Sequence, residues 1–523
     1  MRTLVRKQEE AALFGLGAAA LMVCCAFPLV VLGAELWSED ALAQLRTTLG
    51  ASRPWSLLAK TTGLGLATTA SALTLGVPLG VLLGRMDVAG RKAALWLHLF
   101  PVFLPPFLLA LGWFQLFGTE GPLGSTWTSS TLFGEAGVVV TLTLALSPIV
   151  SALTVLGLHG INPSLEEAAQ VVSSPWRTVT RILLPLCWPS IALGALIVFA
   201  LSVSEVGVPM FLGVRTYSAA VFTRIGGIQY APGEAVALIL PLFAIGLVLV
   251  AIDRWVIRTR SFASLGVRSD ETTVLPLGRA RTIASALVWI CIVAPLVPLG
   301  ALAARAGPHG ISEAVTWIRG SLSTSLLSSL LSSGVIVVIG VLVGHALARD
   351  RPLARTFDAL ALLTFMMPAS VLGVGLIATW NHPRTQVVYT TMAILVLGLA
   401  ARYAVIGTRA LASVFARSPL HFEEAAQIFG SAYAQRLWRI SLPMQARGVV
   451  GVWLIVLVFC LRDLDTVVVF YPPGLEPLVV RTFTLEANGP EQVVTGLSVL
   501  QVLLTAVLLA GGGLLLRRSW GRR

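Results

Sequence analysis

Apolar residues in this chain come in long unbroken blocks, without the alternation of a half-buried strand or the three-to-four spacing of a surface helix. Blocks of about twenty residues recur at 11–33, 61–84, 95–117, 136–158, 187–211 and 235–257, then at 282–303, 323–347, 358–380, 387–411, 447–470 and 493–516. At 1.5 Å rise per residue, such a block matches the roughly 30 Å hydrocarbon layer of a bilayer. The pattern predicts an all-α polytopic membrane protein with about twelve transmembrane helices. Several blocks contain or border proline (Pro101, Pro105, Pro106, Pro209, Pro368). A membrane helix tolerates proline where neighbouring groups satisfy the freed carbonyls.

The polar segments between blocks orient the chain. Arg85–Lys92, Arg177–Arg181, Arg254–Arg281, Arg349–Arg355, Arg402–Arg447, the Arg517–Arg523 tail and the N-terminus together hold about 27 of the 37 Lys and Arg residues. Placing them on the cytoplasmic side predicts that both termini are cytoplasmic and that the number of spans is even. Met1–Lys7 followed by an apolar run resembles a signal peptide. The run is too long for one, and no convincing small-x-small cleavage site follows, so a retained first helix is expected.

The chain also repeats itself. A Gly-rich helix ends at Arg85 and again at Arg349, each followed by a short basic loop and a proline-bearing block. Leu165-Glu-Glu-Ala-Ala-Gln170 recurs as Phe422-Glu-Glu-Ala-Ala-Gln427, and each leads to a Leu-Pro pair, Leu184-Pro185 and Leu442-Pro443. Six spans per repeat make the repeats parallel, with units expected at 1–262 and 263–523 and the matching loops near 162–185 and 418–443.

Composition removes other classes. The chain is 56% hydrophobic and 12% charged, about half the charge of a soluble domain. Its net charge of +12 is explained by basic cytoplasmic loops, so no nucleic-acid partner is expected. The five cysteines, Cys24, Cys25, Cys187, Cys291 and Cys460, lie in or beside apolar blocks without metal-ligand spacing. The six histidines are scattered, and no metal site is expected.

Within 162–185, Ser164 followed three residues later by Glu167 reads as a capping box, placing acids in the positive first turn of a short helix. Pro175 is expected to break that helix, Trp176–Ile182 to form a second basic helical stretch, and Pro185 to open the following span. In the second copy Ser418-Pro419 marks the start and Gly430 the break. A short helix of this kind, protruding from a membrane protein with small residues on one side, suits a groove in another protein.

Here the chain resembles a known family, the inner-membrane permeases of bacterial ABC importers that work with a binding protein. Their signature is Glu-Ala-Ala, three residues, Gly, nine residues, then Ile-x-Leu-Pro. The second copy matches at Glu424, Ala425, Ala426, Gly430, Ile440, Leu442 and Pro443. The first matches at Glu167, Ala168, Ala169, Ile182, Leu184 and Pro185, but has Ser173 in place of the glycine and is one residue shorter.

The resemblance implies the type I permease fold of these importers and an inner-membrane location. It also implies coupling helices that dock on a cytoplasmic ATPase dimer, and a periplasmic solute-binding protein as donor. ATP and Mg would be bound by the ATPase. This chain has no Gly-x4-Gly-Lys-Ser/Thr loop and needs no cofactor of its own. Two units in one chain, with Ser204–Pro209, Tyr471–Gly474 and Leu478–Arg481, look most like the ferric-iron permease subfamily. Thiamine, phosphonate and polyamine importers are the alternatives.

Charge inside a membrane needs a reason. Glu205 follows Pro185 by about the same distance as Arg462, Asp463 and Asp465 follow Pro443. These four either line the solute pathway or sit at helix ends as structural groups. Two other classes leave a trace to weigh. Asp87–Lys92 resembles the loop signature of major-facilitator transporters, but its counterpart Ala348–Pro352 lacks the pattern. A membrane-embedded enzyme would need a His-Glu-x-x-His or Gly-x-Ser-x-Gly constellation, and the chain has neither.

Overall fold

The computed structural model describes residues 2–35, 39–226, 232–258, 274–318 and 320–518. Among the described residues there is no strand, only an isolated parallel bridge between Met86 and Leu275. Among the described residues nine helices are long and apolar enough to cross a bilayer, and three bent helix pairs bring the number to twelve if each is one span. They fall on the twelve apolar blocks, and the chain is an all-α polytopic membrane protein.

Proline explains two of the three bends. Arg91–Phe103 meets Pro106–Phe117 at 98°, and Leu353–Met366 meets Ala369–Trp380 at 108°. Proline lacks an N–H and pushes the residue before it into extended backbone. Leu104 and Met367 are both extended. The third bend, 80° between Tyr433–Met444 and Ala446–Arg462, falls at Gln445.

Three blocks differ from the expectation of single helices. The block at 187–211 ends as a helix at Ser204 and resumes only as Gly207–Phe211. The block at 447–470 ends at Arg462 and resumes as Val467–Phe470. The block at 387–411 contains the end of a separate short helix, Gln386–Tyr389, before the span Ala393–Phe415. Hydropathy does not register these breaks because their flanks are as apolar as a helix interior.

The chain divides into two compact units, and each draws on both sequence halves. One comprises Ala51–Ala220 and Ala244–Ile311; the other comprises Met1–Gly50, Val221–Phe243 and Ser312–Arg523. Sequence repeat and compact unit are therefore different partitions. The expected joint at 262/263 lies outside the described residues and inside one segment of the smaller unit.

In the smaller unit, Ser52–Arg85 packs along Glu135–His159, with Leu184–Ser204 against both. The approach is close because small residues face it. A Cβ on Gly80 would lie 2.7 Å from Thr154 Cβ and 2.9 Å from Ser151 O. The loop 86–90, read above beside the major-facilitator signature, is occupied within this unit. Asp87 Oδ1 accepts from Leu277 N at 2.7 Å, Ala89 N donates to Ser285 Oγ at 3.1 Å, and Trp289 Nε1 donates to Ala89 O at 3.0 Å. The loop thus clasps the start of Arg281–Val293.

In the larger unit the first span, Ala11–Ala34, is seated on residues of the second sequence half. Phe14 meets Phe357 edge-on at 5.7 Å and Phe27 meets Trp380 at 6.1 Å. Gly17 abuts Leu342 and Val343 too closely to admit a Cβ. The repeat shows in matching contacts inside each unit. Thr61 Oγ1 accepts from Tyr217 N, and Ser325 Oγ accepts from Leu478 N, each at 2.7 Å. Thr61 precedes Arg85 by the same spacing as Ser325 precedes Arg349.

Gly80→Leu is expected to lower the thermal midpoint of the detergent-purified chain, with an overpacking cost of about 1–3 kcal/mol. Gly63→Leu, at a position open on all sides, should leave the midpoint unchanged. Scanning fluorimetry of the two variants checks the contrast.

Candidate functional site

Each repeat builds the same short helix from the same residues. The first is Pro163–Val172, the second Leu420–Ile428. Two adjacent glutamates on a helix point about 100° apart, so one faces the protein and the other faces away. Glu166 and Glu423 are buried, whereas Glu167 and Glu424 are exposed. Ala168 and Ala425 are exposed beside them, Ala426 is half-buried and Ala169 is buried. The outward surface also carries apolar side chains: Val171 is 85% exposed, Ile428 84% and Phe429 90%. Large apolar groups left uncovered at the end of a polar helix mark a contact surface.

The inward glutamates meet arginines that close a preceding helix. Arg85 ends Ser52–Arg85, and its Nη1 lies 3.3 Å from Glu166 Oε2 while its Nη2 donates to Leu158 O at 2.7 Å. Arg349 follows His345–Ala348, and its Nη2 donates to Glu423 Oε1. In both cases a cation at a helix C-terminus pairs with an acid in the first turn of the short loop helix, so both dipoles are complemented.

The surroundings of the two pairs differ. Glu423 Oε1 also accepts from Ser441 Oγ at 2.7 Å and lies 3.3 Å from His345 Nε2, while His345 Nδ1 is 2.9 Å from Tyr433 OH. Among the described residues Glu166 has only the ion pair: neither carboxylate oxygen has a hydrogen bond, and both members are buried. The two carboxyls accordingly shift in opposite directions. Burial pushes Glu166 up despite Arg85. Burial would also raise Glu423, but hydrogen bonds from His345, Arg349 and Ser441 outweigh it and hold the carboxyl at about 2.

The helix starts and stops correct the sequence reading in detail. Asn162, not Ser164, caps the first helix: its Oδ1 accepts from Ser164 N at 3.0 Å. Pro163, with its fixed φ and missing N–H, takes the first helical position and moves the start upstream, which leaves Ser164 inside. Ser418 does not cap the second helix, because Pro419 holds that place and makes no side-chain cap.

At the other end Gly430 has φ +94°. There Ser431 N bonds back to Ala426 O and Gly430 N to Gln427 O, the paired closure of a Schellman motif. The first helix leaves by another route. Ser173 is extended, at φ −143°, and its Oγ bonds to Ala169 O and Thr178 Oγ1. No left-handed residue is needed there, which accounts for the missing glycine and the shorter linker.

Pro175 opens the next helical stretch rather than breaking the previous one, which ends at Val172. That stretch runs from Pro175 to Ser204 as one span, so Leu184-Pro185 does not start a new helix. It follows a π-turn, Val179–Leu183, in which Leu184 N reaches back to Val179 O. Leu437–Ser441 repeats the turn before Leu442-Pro443, with Leu442 N bonded to Leu437 O. Pro185 and Pro443 have no N–H for the carbonyl four residues back, which favours the wider turn.

The four intramembrane candidates lie at equivalent helix breaks. Glu205 is buried just beyond Ser204, and its Oε1 accepts from Val208 N at 3.2 Å. Asp463 is buried just beyond Arg462, its Oδ1 accepting from Thr466 N and its Oδ2 from Thr466 Oγ1, both at 2.8 Å. Each acid thus accepts from an amide at the start of the short helix after the break. The Arg462 guanidinium lies 5.1 Å from the Phe459 ring centre, and Asp465 is half-buried. What sequence reasoning missed is the inward half of each glutamate pair. The doubled glutamate allowed an inward partner, since adjacent helical residues point about 100° apart, but the sequence did not require one.

An all-α membrane protein carrying one exposed, acid-bearing loop helix per repeat is the class that fold and site define. Residues 76–261 match the model of the family described as binding-protein-dependent transport system inner membrane component. A molybdenum transport system permease protein of Escherichia coli K12 is 30% identical over 214 residues, 37% of this chain and 91% of the relative. Ferric transport system permease proteins of Actinobacillus pleuropneumoniae and Haemophilus influenzae are each 24% identical over 374 residues, 66% of this chain. The matched stretch spans 54% and 59% of those two relatives' own lengths. The chain belongs to the family of inner membrane components of binding-protein-dependent transport systems.

Gly430→Ala is expected to cost about 1–2 kcal/mol, the penalty of a left-handed non-glycine residue, whereas Ser173→Gly should cost less. Thermal midpoints of the two variants check this. The pH dependence of the Glu423 anchor follows from its depressed carboxyl: its stabilisation is full above the ordinary carboxyl value of about 4.5 and lost as pH falls toward about 2. The stability gap between the unmodified chain and Glu423→Gln, measured by midpoint against pH, should therefore persist at pH 5 and close only below about 4.5.

Proposed function

We propose that the chain is the membrane-spanning permease subunit of an ATP-driven importer. It takes solute from a periplasmic binding protein and passes it inward by alternating access. It sits in the bacterial inner membrane with both termini cytoplasmic, the orientation that puts the basic segments inside. The observation that carries this reading is the pair of equivalent helices, each turning a glutamate, an alanine and an uncovered apolar side chain outward. Such a face suits a cleft on an ATPase subunit, and two of them suit an ATPase dimer, which binds the ATP and Mg.

Ferric iron is the first choice of solute. The ferric relatives match over 374 residues against 214 for the molybdenum permease, and three carboxylates, Glu205, Asp463 and Asp465, lie at the helix breaks. In this reading they and Arg462 border the pathway. A molybdenum oxyanion is the second reading, favoured by the 30% identity to molybdenum permeases. Uptake separates the two. The chain is reconstituted in proteoliposomes with the ATPase and binding protein encoded beside it, and ATP-dependent accumulation of 55Fe(III) is compared with that of 99Mo-molybdate. Accumulation of molybdate alone would remove iron.

The coupling role has its own test. Glu424→Lys, and to a smaller degree Glu167→Lys, should loosen ATPase capture and reduce transport without changing the thermal midpoint. A Glu424→Lys chain that still co-purifies with the ATPase and transports at the unmodified rate would refute the role.

A further inference from the structure

Exposed Glu167 and Glu424 account for docking, but not for how a docked helix moves the membrane spans. The buried glutamates beside them do. The buried acid of each short helix pairs with the arginine at the end of the second span, Arg85 or Arg349. We infer that Glu166 and Glu423 are positioning residues that bind each coupling helix to the end of its repeat's second span so that the two move together, and that the two clamps are chemically unequal. The inference rests on the coupling reading given above.

The inequality is a set of exchanges at matched positions. Four residues before the arginine stands Val81 in one repeat and His345 in the other. The residue before the Leu-Pro pair is Leu183 or Ser441, and nine before its leucine stands Pro175 or Tyr433. The first repeat thus lacks every polar partner the second uses. Val81 and Leu183 instead join Leu158, Val179 and Cys187 in an apolar cluster.

The two clamps respond differently to loss of charge. A buried ion pair whose acid accepts no hydrogen bond gains little over two well-packed apolar side chains, yet removing one member strands the other charge. Arg85 and Glu166 are such a pair. Removing both Arg349 and Glu423 would take from Ser441 Oγ and His345 Nε2 the carboxylate they share, leaving His345 with Tyr433 alone, and buried polar groups left unpaired are costly. The first clamp is therefore replaceable by apolar residues as a unit, and the second is not. The second coupling helix is the firmly held lever, and the first is held by an isolated pair.

Hydrogen exchange of the full chain in nanodiscs tests this without any partner. Glu423→Met should speed exchange of 420–428, and Glu166→Met that of 163–172, by at least about tenfold. Glu424→Ala should do neither. Arg85→Met with Glu166→Met should restore protection of 163–172, whereas Arg349→Met with Glu423→Met should not restore 420–428. Unchanged exchange in both single variants would overturn the clamps, and equal behaviour of the two double variants would overturn their inequality.

In proteoliposomes, Glu423→Gln should retain ATPase capture and ATP hydrolysis within about twofold. It should lose several-fold in solute moved per ATP, read with whichever of 55Fe(III) or 99Mo-molybdate the unmodified complex accumulates. An unchanged ratio would reduce Glu423 to a structural residue. Failure of the unmodified chain to capture any ATPase would instead sink the coupling reading, leaving the exchange result to decide the clamps alone.

Discussion

Every backbone polar group inside a bilayer must find its partner within the protein, and the places where this chain interrupts its helices are organised by that demand. At the bend after Met366, buried Arg402 donates to Phe365 O and Met367 O, carbonyls at the end of the helix Pro352–Met366. At the breaks after Ser204 and Arg462, Glu205 and Asp463 accept from the amides of the next helix. Thr61 and Ser325 accept from the amides that begin the segments after those breaks. Charged and polar side chains inside the membrane thus have a backbone task first, whatever part they take in passing solute. A pathway built at such breaks uses groups already placed by the needs of the fold.

The same accounting explains why the two loop helices differ. The second repeat ends its helix with a left-handed glycine and anchors it through a hydrogen-bonded acid. The first ends with an extended serine bonded to Ala169 and Thr178 and anchors through an ion pair in apolar surroundings. Each set is self-consistent: the shorter linker needs no reversal of backbone hand, and leucine before the Leu-Pro pair suits a core without water. In the proposed transport cycle, one plan executed in two chemistries would give the two halves of a single chain distinct mechanical properties. Two identical subunits have no such freedom.

Much of this was legible beforehand, and the remainder shares one cause. Span number, the repeat, the paired Glu-Glu-Ala-Ala helices and the proline-bearing blocks follow from local composition and spacing, because burial in lipid and helix propensity act on neighbouring residues. The cap was expected two residues late, at Ser164 and not Asn162, because Pro163 takes the first helical position. The breaks at Glu205 and Asp463 were invisible because apolar residues flank them on both sides. The partners of Glu166 and Glu423 lie 81 and 74 residues away in sequence, beyond the reach of any periodicity.

The amino-acid sequence by itself determined that this is a helical membrane protein of two parallel repeats, each carrying one exposed acidic helix. Those properties depend on which side chains stand within a few turns of one another. Only the tertiary structure decided which glutamate of each pair turns inward, what holds it, and which span keeps company with which. Thus the first span belongs with the second repeat's helices, where Gly17 fits against Leu342 and Phe14 against Phe357. Apolar helices are nearly interchangeable to lipid, so composition cannot sort them. Shape at close approach and the pairing of buried charge do.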